Sequence, residues 1–447
     1  MIILEHSTFD ARTIGTRLGA PDYSYWFVRK AFRPMLERMG VVVPVSDPAH
    51  EVDRLSSNAA SHGESSVYLS FCPPHGTTIS AVCPTVPVFA WEFDTLPNEP
   101  WGDEARNDWS HVLRRVPAAI THSQFAVQVV RRTLGEHYPI WSIPAPMYQA
   151  NVRRAPSARG WQTPKTLTIS GLAIDSGTVD LSLFGVDRAR TDGCQAIKTL
   201  AARVQSRGNK PLRFIISGVV YTAVFNPVDQ RKNWLDMLAA FIRAFRDNPE
   251  ATLVLKITHY DAVVGVIPIL CDLSKHGDFK CRVLIVHGMI AQDEYDSLVD
   301  VTSYAVNTSS GEGQCLPLME FMSAGRPAVT PLHTAMLDYV TRDNSFVMDS
   351  TLKLTSWPHD PRQAITCMQY AINFAQLVQC YRDSFEVAKS HPERYAAMSA
   401  AASAALCEFC SDEVVANRLK QVFEHLGVRP RASRFPFVRR VLSRVAT

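Results

Sequence analysis

Two glutamates carry the most informative chemistry in the chain. Glu312 and Glu320 lie in the stretch NTSSGEGQCLPLMEFMSAGRPAV (307–329), with seven residues between them. The spacing predicts a helix over Cys315–Ala324, punctuated by Pro317 near its start and Gly325 just past its end. Gly311 and Gly313 let the backbone approach a ligand closely, and the N–H groups of Gly313, Gln314, Cys315 and Leu316 can then face a diphosphate at the positive end of the helix. Glu312 then sits before the helix, beside whatever the phosphate carries. Glu320 lies about two turns on, where its carboxylate can accept from the paired hydroxyls of a ribose. A bare Glu-x7-Glu is equally the spacing of ordinary solvated helix glutamates. The Gly-rich turn after an apolar strand, the helix stop and the following SAGRPAV strand give this one its weight.

A second group stands in FNPVDQRKNWLDMLAAFIRAF (225–245). A phosphoryl leaving group needs fixed positive charge that does not depend on reorganising water. Arg231 and Lys232, just past a strand and at the start of a helix expected over Asn233–Asp247, can supply it. Lys232 is expected to do so chiefly, with Arg231 turned partly to solvent. Lys256 ends a strand on the same side, a position that is more often plain surface. In the N-terminal half, Glu92 in VFAWEFD and His122 in ITHS occupy matching strand ends and are the candidates for the acceptor side. The alternatives are a buried, paired carboxylate and a satisfied core histidine. His75, Asp94 and the loop GTRLG (15–19) give weaker signals of the same kind. No Asp-x-Asp follows a strand and no His/Cys cluster has metal spacing, so neither metal nor cofactor is expected. Cys407 and Cys410 form a lone CxxC in an Ala-rich helix, read with the other cysteines as reduced thiols.

The elements that must position these residues follow an α/β rhythm. In the first half, strands are expected at Met1–Leu4, Val41–Val45, Val67–Phe71, Val86–Phe93, Pro117–Thr121 and Trp141–Ile143. Helices are expected over Tyr23–Met39 and over Gln124–Leu134, the latter capped by Ser123. From Arg213 the rhythm returns: FIISG, LVLKI, Arg282–Val286, Tyr304–Asn307 and Ala328–Thr330 read as strands separated by helices. The expected division is an N-terminal Rossmann-like acceptor domain (1–150), a linker with an inserted hairpin or small subdomain (151–211), a C-terminal Rossmann-like nucleotide-sugar domain (212–395), and C-terminal helices crossing back to the N-terminal domain (396–447).

The Glu312–Glu320 segment resembles the EX7E signature of the retaining glycosyltransferases of family four, and Arg231-Lys232-Asn233 looks like that family's basic element. The family often carries a second basic residue about six positions upstream, where this chain has Asn226. AWEFDTLP and THS loosely resemble a related subgroup. The resemblance implies the GT-B fold, two Rossmann-like domains facing across a cleft. It implies that Glu312 contacts the transferred sugar, Glu320 binds the nucleotide ribose, and Lys232 with Arg231 neutralises the diphosphate. The donor would be a UDP- or GDP-linked sugar, and the acceptor a glycan or lipid-linked saccharide in cell-surface polysaccharide synthesis. The other class of reading is a non-catalytic partner that keeps the fold and binds sugar or protein.

Composition narrows the setting. The chain has 447 residues, 46% hydrophobic and 20% charged, with a formal charge of +3. That is globular, long enough for two domains, and too weakly basic to announce a nucleic-acid partner. No window reaches the ~18 apolar residues of a membrane span. The start, MIILEHSTFD, meets Glu5 and His6 at once and does not read as a signal peptide. A cytoplasmic protein is the expectation. The end, RPRASRFPFVRRVLSRVAT, holds six arginines (429, 431, 434, 439, 440 and 444) and no acids. Its apolar residues at 438, 441, 442 and 445 suit an amphipathic helix in peripheral contact with an anionic membrane, or a helix packed on the N-terminal domain.

Overall fold

The computed structural model describes residues 1–152, 163–185, 189–206, 210–358 and 360–428. The basic tail from 429 onward, with its six arginines, lies outside the described residues.

In the N-terminal half, β1 (Ile2–Ser7), β2 (Val41–Pro44), β3 (Ser66–Phe71), β4 (Thr85–Phe89), β5 (Ala119–Thr121) and β6 (Ile140–Ser142) form one all-parallel sheet. Its order is β2-β1-β3-β4-β5-β6. The central strands are apolar runs because helices cover both faces. The helix Tyr23–Met39 buries Tyr25, Trp26, Val28, Phe32, Met35 and Leu36, the i, i+3, i+4 stripe that a packed helix needs. Ser123 accepts the Ala126 N–H at 3.2 Å and so starts the helix Gln124–Leu134 directly at the end of β5.

The C-terminal half contains β7 (Lys165–Ile169), β8 (Ala173–Asp175), β9 (Leu212–Ile216), β10 (Val219–Phe225), β11 (Ala251–Ile257), β12 (Arg282–His287), β13 (Tyr304–Val306), β14 (Ala328–Pro331), β15 (Ser345–Met348), β16 (Ser350–Ser356) and β17 (Thr366–Ile372). The main sheet runs β15-β14-β13-β10-β11-β12-β8, parallel except for the antiparallel edge strand β8. Chain direction switches between β10 and β13, and in the first sheet between β1 and β3. Crevices at such switch points, outside the carboxyl ends of the strands, are where open α/β sheets take ligands.

Three features differ from the sequence reading. FIISG is not the first strand of the main sheet: β9 pairs antiparallel with β7, and the central position falls to β10, VVYTAVF, which was not foreseen. β8 lies in the segment taken as a linker, yet it completes the second sheet, tied by Asp175 to Arg282 at 2.6 Å. The hairpin β16–β17 was also not foreseen. Its junction with the first half is aromatic: Trp357 packs 5.8 Å from Trp91 and 5.1 Å from Trp101, and Trp91 packs 4.5 Å from Trp109. Near the carboxyl end, the helices Pro392–Cys410 and Asp412–His425 reach back to the first half. There Asp412 pairs with Arg38 at 2.5 Å, and Arg418 donates to the Ser142 carbonyl at 3.0 Å.

Gly218 lies between β9 and β10, with φ of 79°, and a Cβ there would lie 2.0 Å from the Glu250 carbonyl oxygen. Gly218→Ala combines a left-handed backbone with a main-chain clash. It is expected to lower unfolding stability by about 2–4 kcal/mol, measured by urea denaturation.

Candidate active site

The carboxyl ends of β10 and β13 bring Lys232 and Glu312 together. Lys232 follows β10 in the short turn Gln230–Lys232, and Asn233, with φ of 48°, turns the chain into the helix Trp234–Phe245. Glu312 follows β13 in the Gly-rich loop. The Lys232 ammonium lies 2.5 Å from Glu312 Oε1, and the Ser309 hydroxyl donates to the same oxygen at 2.5 Å. Burial pushes Glu312 up, but Lys232, Arg231 and the two hydrogen bonds outweigh it and hold the carboxyl below its ordinary range. Burial likewise opposes the charge on Lys232, and Glu312 more than offsets it, so Lys232 is raised.

Arg231 does not turn to solvent. Its guanidinium spans Glu92 Oε1 at 2.9 Å, Asp229 Oδ2 at 2.8 Å and the Gly311 carbonyl at 2.9 Å. The fork geometry of arginine, with donors on both terminal nitrogens, is what allows three acceptors to be held at once. Burial opposes its charge; Glu92 first and then Asp229 restore it, and Arg231 is raised. Glu92 is thus a paired carboxylate at the end of β4 that faces the cleft. It is pushed up by burial and drawn back by Arg231.

The glycines of the loop also answer to a constraint within the protein. A Cβ on Gly311 would come 3.0 Å from the Glu92 carbonyl oxygen, and one on Gly313 would lie 2.8 Å from Ala90 Cβ and 2.9 Å from Trp91 N. The close neighbour is the opposing strand end. Beyond it Cys315, with φ of 61°, opens the helix Leu316–Ser323, which has Pro317 in its first turn. The N–H groups of Gly313, Gln314, Cys315 and Leu316 donate to no protein acceptor among the described residues. The Gln314 side chain crosses to the first half, where its amide oxygen accepts the Ala145 N–H at 2.6 Å.

Glu320 lies on the following turns of this helix and accepts a short hydrogen bond from the Tyr295 hydroxyl. Lys256, at the end of β11, is 6% exposed and is the main charge facing it. Burial raises Glu320 to about 7, against the pull of Tyr295 and Lys256, and burial lowers Lys256 to about 8. Sequence reasoning set Lys256 aside as surface; its place at the end of a buried parallel strand was the available signal.

His122 is not part of this group. It is fully buried, bonded through Nδ1 to the Ile143 carbonyl at 2.8 Å, packed near Phe32, and lowered by burial to about 4. It is a core histidine satisfied at one ring nitrogen alone: its buried Nε2 has no hydrogen-bond partner among the described residues. His75 accepts from the Trp109 indole at 3.0 Å, and Asp94 accepts the Met368 N–H at 2.7 Å, linking the first half to β17. Asn226 donates at 2.9 Å to the carbonyl of Gly19, whose φ of 86° and close approach to Thr258 admit no side chain. Arg17 in the same loop is exposed. Sequence reasoning also missed Ser309, Asp229, Tyr295 and the turn His333–Ala335. That turn accepts the Glu312 N–H on Thr334 Oγ1 at 3.0 Å. Among the described residues there is no group of three or more His, Cys, Asp or Glu side chains suited to a metal ion, and no helix long and apolar enough to cross a membrane.

No protein-family profile matches the sequence, and no curated protein matches it. Solved structures do match in fold. Sucrose-phosphate synthase from Thermosynechococcus elongatus is similar over 95% of this chain and 99% of that chain, with a TM-score of 0.56 at 12% identity. Anabaena HepE in complex with UDP is similar over 95% and 99%, with a TM-score of 0.52 at 13% identity. A glycosyltransferase from Rickettsia africae gives 95% and 98%, with a TM-score of 0.51 at 9% identity. The chain spans 55% of the length of S. aureus TarM, at 10% identity and a TM-score of 0.49. The first three of these neighbours share the GT-B fold, and the α/β architecture here is GT-B.

The raised carboxyl of Glu320 has a thermodynamic signature. Its folded-state pKa lies above its unfolded one, so the ionised form opposes folding. The penalty is absent below the unfolded range, grows as pH rises through it, and is complete above about 7. Glu320→Gln, which can still accept from Tyr295, is therefore expected to match the wild type near pH 4. At pH 8 it should exceed the wild type by on the order of 1–3 kcal/mol in denaturant titrations.

Proposed function

We propose that the chain is a retaining glycosyltransferase of the family-four type, moving a sugar from a UDP- or GDP-linked donor to a glycan or lipid-linked saccharide. The observation that supports this best is the Lys232–Glu312 pair at 2.5 Å, set at the switch point of the second sheet. Immediately after it come four unengaged N–H groups at the start of a helix. Fixed cation, free amides and a helix N-terminus together suit a diphosphate without a divalent ion.

In this reading the diphosphate lies against the N–H groups of Gly313, Gln314, Cys315 and Leu316, with Lys232 neutralising the charge that grows as the glycosidic bond breaks. Glu312 faces the sugar. Glu320 takes the ribose hydroxyls, and Lys256 favours its ionised form. Arg231, with three acceptors already, holds the Gly311 loop and Glu92 in register instead of meeting the diphosphate. Glu92, on the opposing strand end and paired with Arg231, belongs to the acceptor side. His122 is left out of the reaction.

The test begins with thermal shifts in UDP, GDP, ADP and their sugars, because a ligand of the folded state raises the melting temperature. The matching nucleotide is expected to stabilise the wild type and Glu312→Ala, but Glu320→Ala much less. Glu312→Ala is expected to lose turnover chiefly. Equal loss of nucleotide affinity in both variants, by calorimetry, contradicts the division of roles.

Lys232→Ala is expected to cost about 2–4 kcal/mol of transition-state stabilisation, the range for one preorganised electrostatic contact. The loss should appear in kcat as well as KM, by roughly a hundredfold or more. Lys232→Arg should recover only part of it, since a planar fork does not replace a compact charge in place. Wild-type kcat and donor KM in Lys232→Ala would place the diphosphate elsewhere.

A further inference from the structure

Thr334 is held in a conformation that its side chain opposes. Among the described non-glycine residues with left-handed backbone, it alone is β-branched, at φ of 50°. Crowding between the branched Cβ and the backbone makes that region an outlier for threonine. Strain of this kind persists only where the surroundings over-determine it, and it gathers at functional sites. Thr334 and His333 are each 1% exposed, so the turn is locked inside the protein.

What it holds is the main chain of Glu312. The Thr334 hydroxyl accepts the Glu312 N–H at 3.0 Å, and the Ala335 N–H donates to the Glu312 carbonyl at 3.2 Å. Both backbone groups of one residue therefore end on one turn. The hydroxyl, already an acceptor, keeps its own proton to donate, and His333 Nδ1 stands 3.3 Å away. Burial lowers His333 to about 4, so the ring is neutral, and its tautomer sets which of the two atoms donates. The ring stacks on Tyr370 of β17 at 4.2 Å and 10°, and the Tyr370 N–H donates to the Ser310 carbonyl at 3.0 Å. The loop carrying Glu312 is thus fixed from both sides by contacts outside it.

Lys232 and Ser309 already meet the Glu312 carboxylate at Oε1, so the strained turn is not needed to neutralise it. We infer that Thr334 is a positioning residue: by fixing the Glu312 main chain it aims the carboxylate at the sugar of a sugar nucleotide, and so lets the site tell a sugar nucleotide from the bare nucleoside diphosphate. This rests on the donor-site reading above.

The test compares Thr334→Val, Thr334→Ser and Thr334→Gly by calorimetry with UDP and UDP-glucose, or with GDP and GDP-mannose where the thermal screen selects guanine. Thr334→Val keeps the shape and loses the hydroxyl. It is expected to bind the nucleoside diphosphate within about twofold of wild type and the sugar nucleotide about tenfold more weakly, the weight of one buried hydrogen bond. Thr334→Ser should restore both. Thr334→Gly relieves the strain but also lacks the hydroxyl, and is expected to show the same selective loss. A Thr334→Val or Thr334→Gly that binds the sugar nucleotide like wild type, or weakens both ligands equally, overturns the inference. A wild type that binds none of these ligands removes the donor-site reading itself, and the inference with it.

Discussion

Five ionisable side chains in the cleft constrain everything around them. Asp229, Arg231 and Lys232 come from one turn, Glu312 from the loop after β13, and Glu92 from the opposing half. Charges removed from water are tolerable only when paired with good geometry. Two of the three pairs, Arg231–Glu92 and Lys232–Glu312, join different elements, and that requirement sets where the elements go. Arg231 cannot reach Glu92 and the Gly311 carbonyl unless β4 and β13 end at the same level. Lys232 cannot reach Glu312 unless the turn after β10 is tight, which is what the left-handed Asn233 provides. The two parallel sheets supply a rigid base from which such short turns can be aimed.

The same constraint explains the glycines. With Arg231 drawing Glu92 toward the loop, residues 311 and 313 meet Ala90, Trp91 and Glu92 with no room for a Cβ. Gly19 meets Thr258 and Asn226 in the same manner. Most of the remaining links between the halves use a main-chain atom on one side: Asn226 to the Gly19 carbonyl, Gln314 to the Ala145 N–H, Asp94 to the Met368 N–H. Backbone partners cannot swing away on rotamers, so these contacts fix distance between the halves more firmly than pairs of long side chains would.

The loop and helix that carry Glu312 and Glu320 were legible because their signals are local. Strand, Gly-rich turn, Pro317 and Gly325 lie within one short stretch, and each acts through its own backbone preference. The FIISG reading failed for a complementary reason. β9 and β10 are adjacent apolar runs separated by Gly218, and which of them enters the sheet depends on pairing with β11 and β13, far away in the chain. Arg231 was misread because its partner Glu92 belongs to another sheet. His122 and Glu92 have the same strand-end position in the sequence, and only burial separates them: one has a backbone carbonyl for a partner, the other an arginine. The hairpin β16–β17 gave little signal since β16 is mostly exposed and alternates without a buried face. Thr334 lay beyond sequence reasoning altogether, because a β-branched residue is the last type expected in a left-handed turn.

The aromatic junction of that hairpin has an optical side. Four of the eight tryptophans of the chain, 91, 101, 109 and 357, meet there. Their neighbouring centroids are 4.5 to 5.8 Å apart, close enough for the indole transitions to couple. Trp91 is next to Glu92, and Trp357 sits on the connection that leads into β17 and on to Tyr370. Any shift of the hairpin against the first half changes the separation and tilt of these rings before it changes the secondary structure. The near-ultraviolet circular dichroism and emission of the unlabelled protein therefore carry a built-in record of how the two halves are seated, read at the edge of the candidate site.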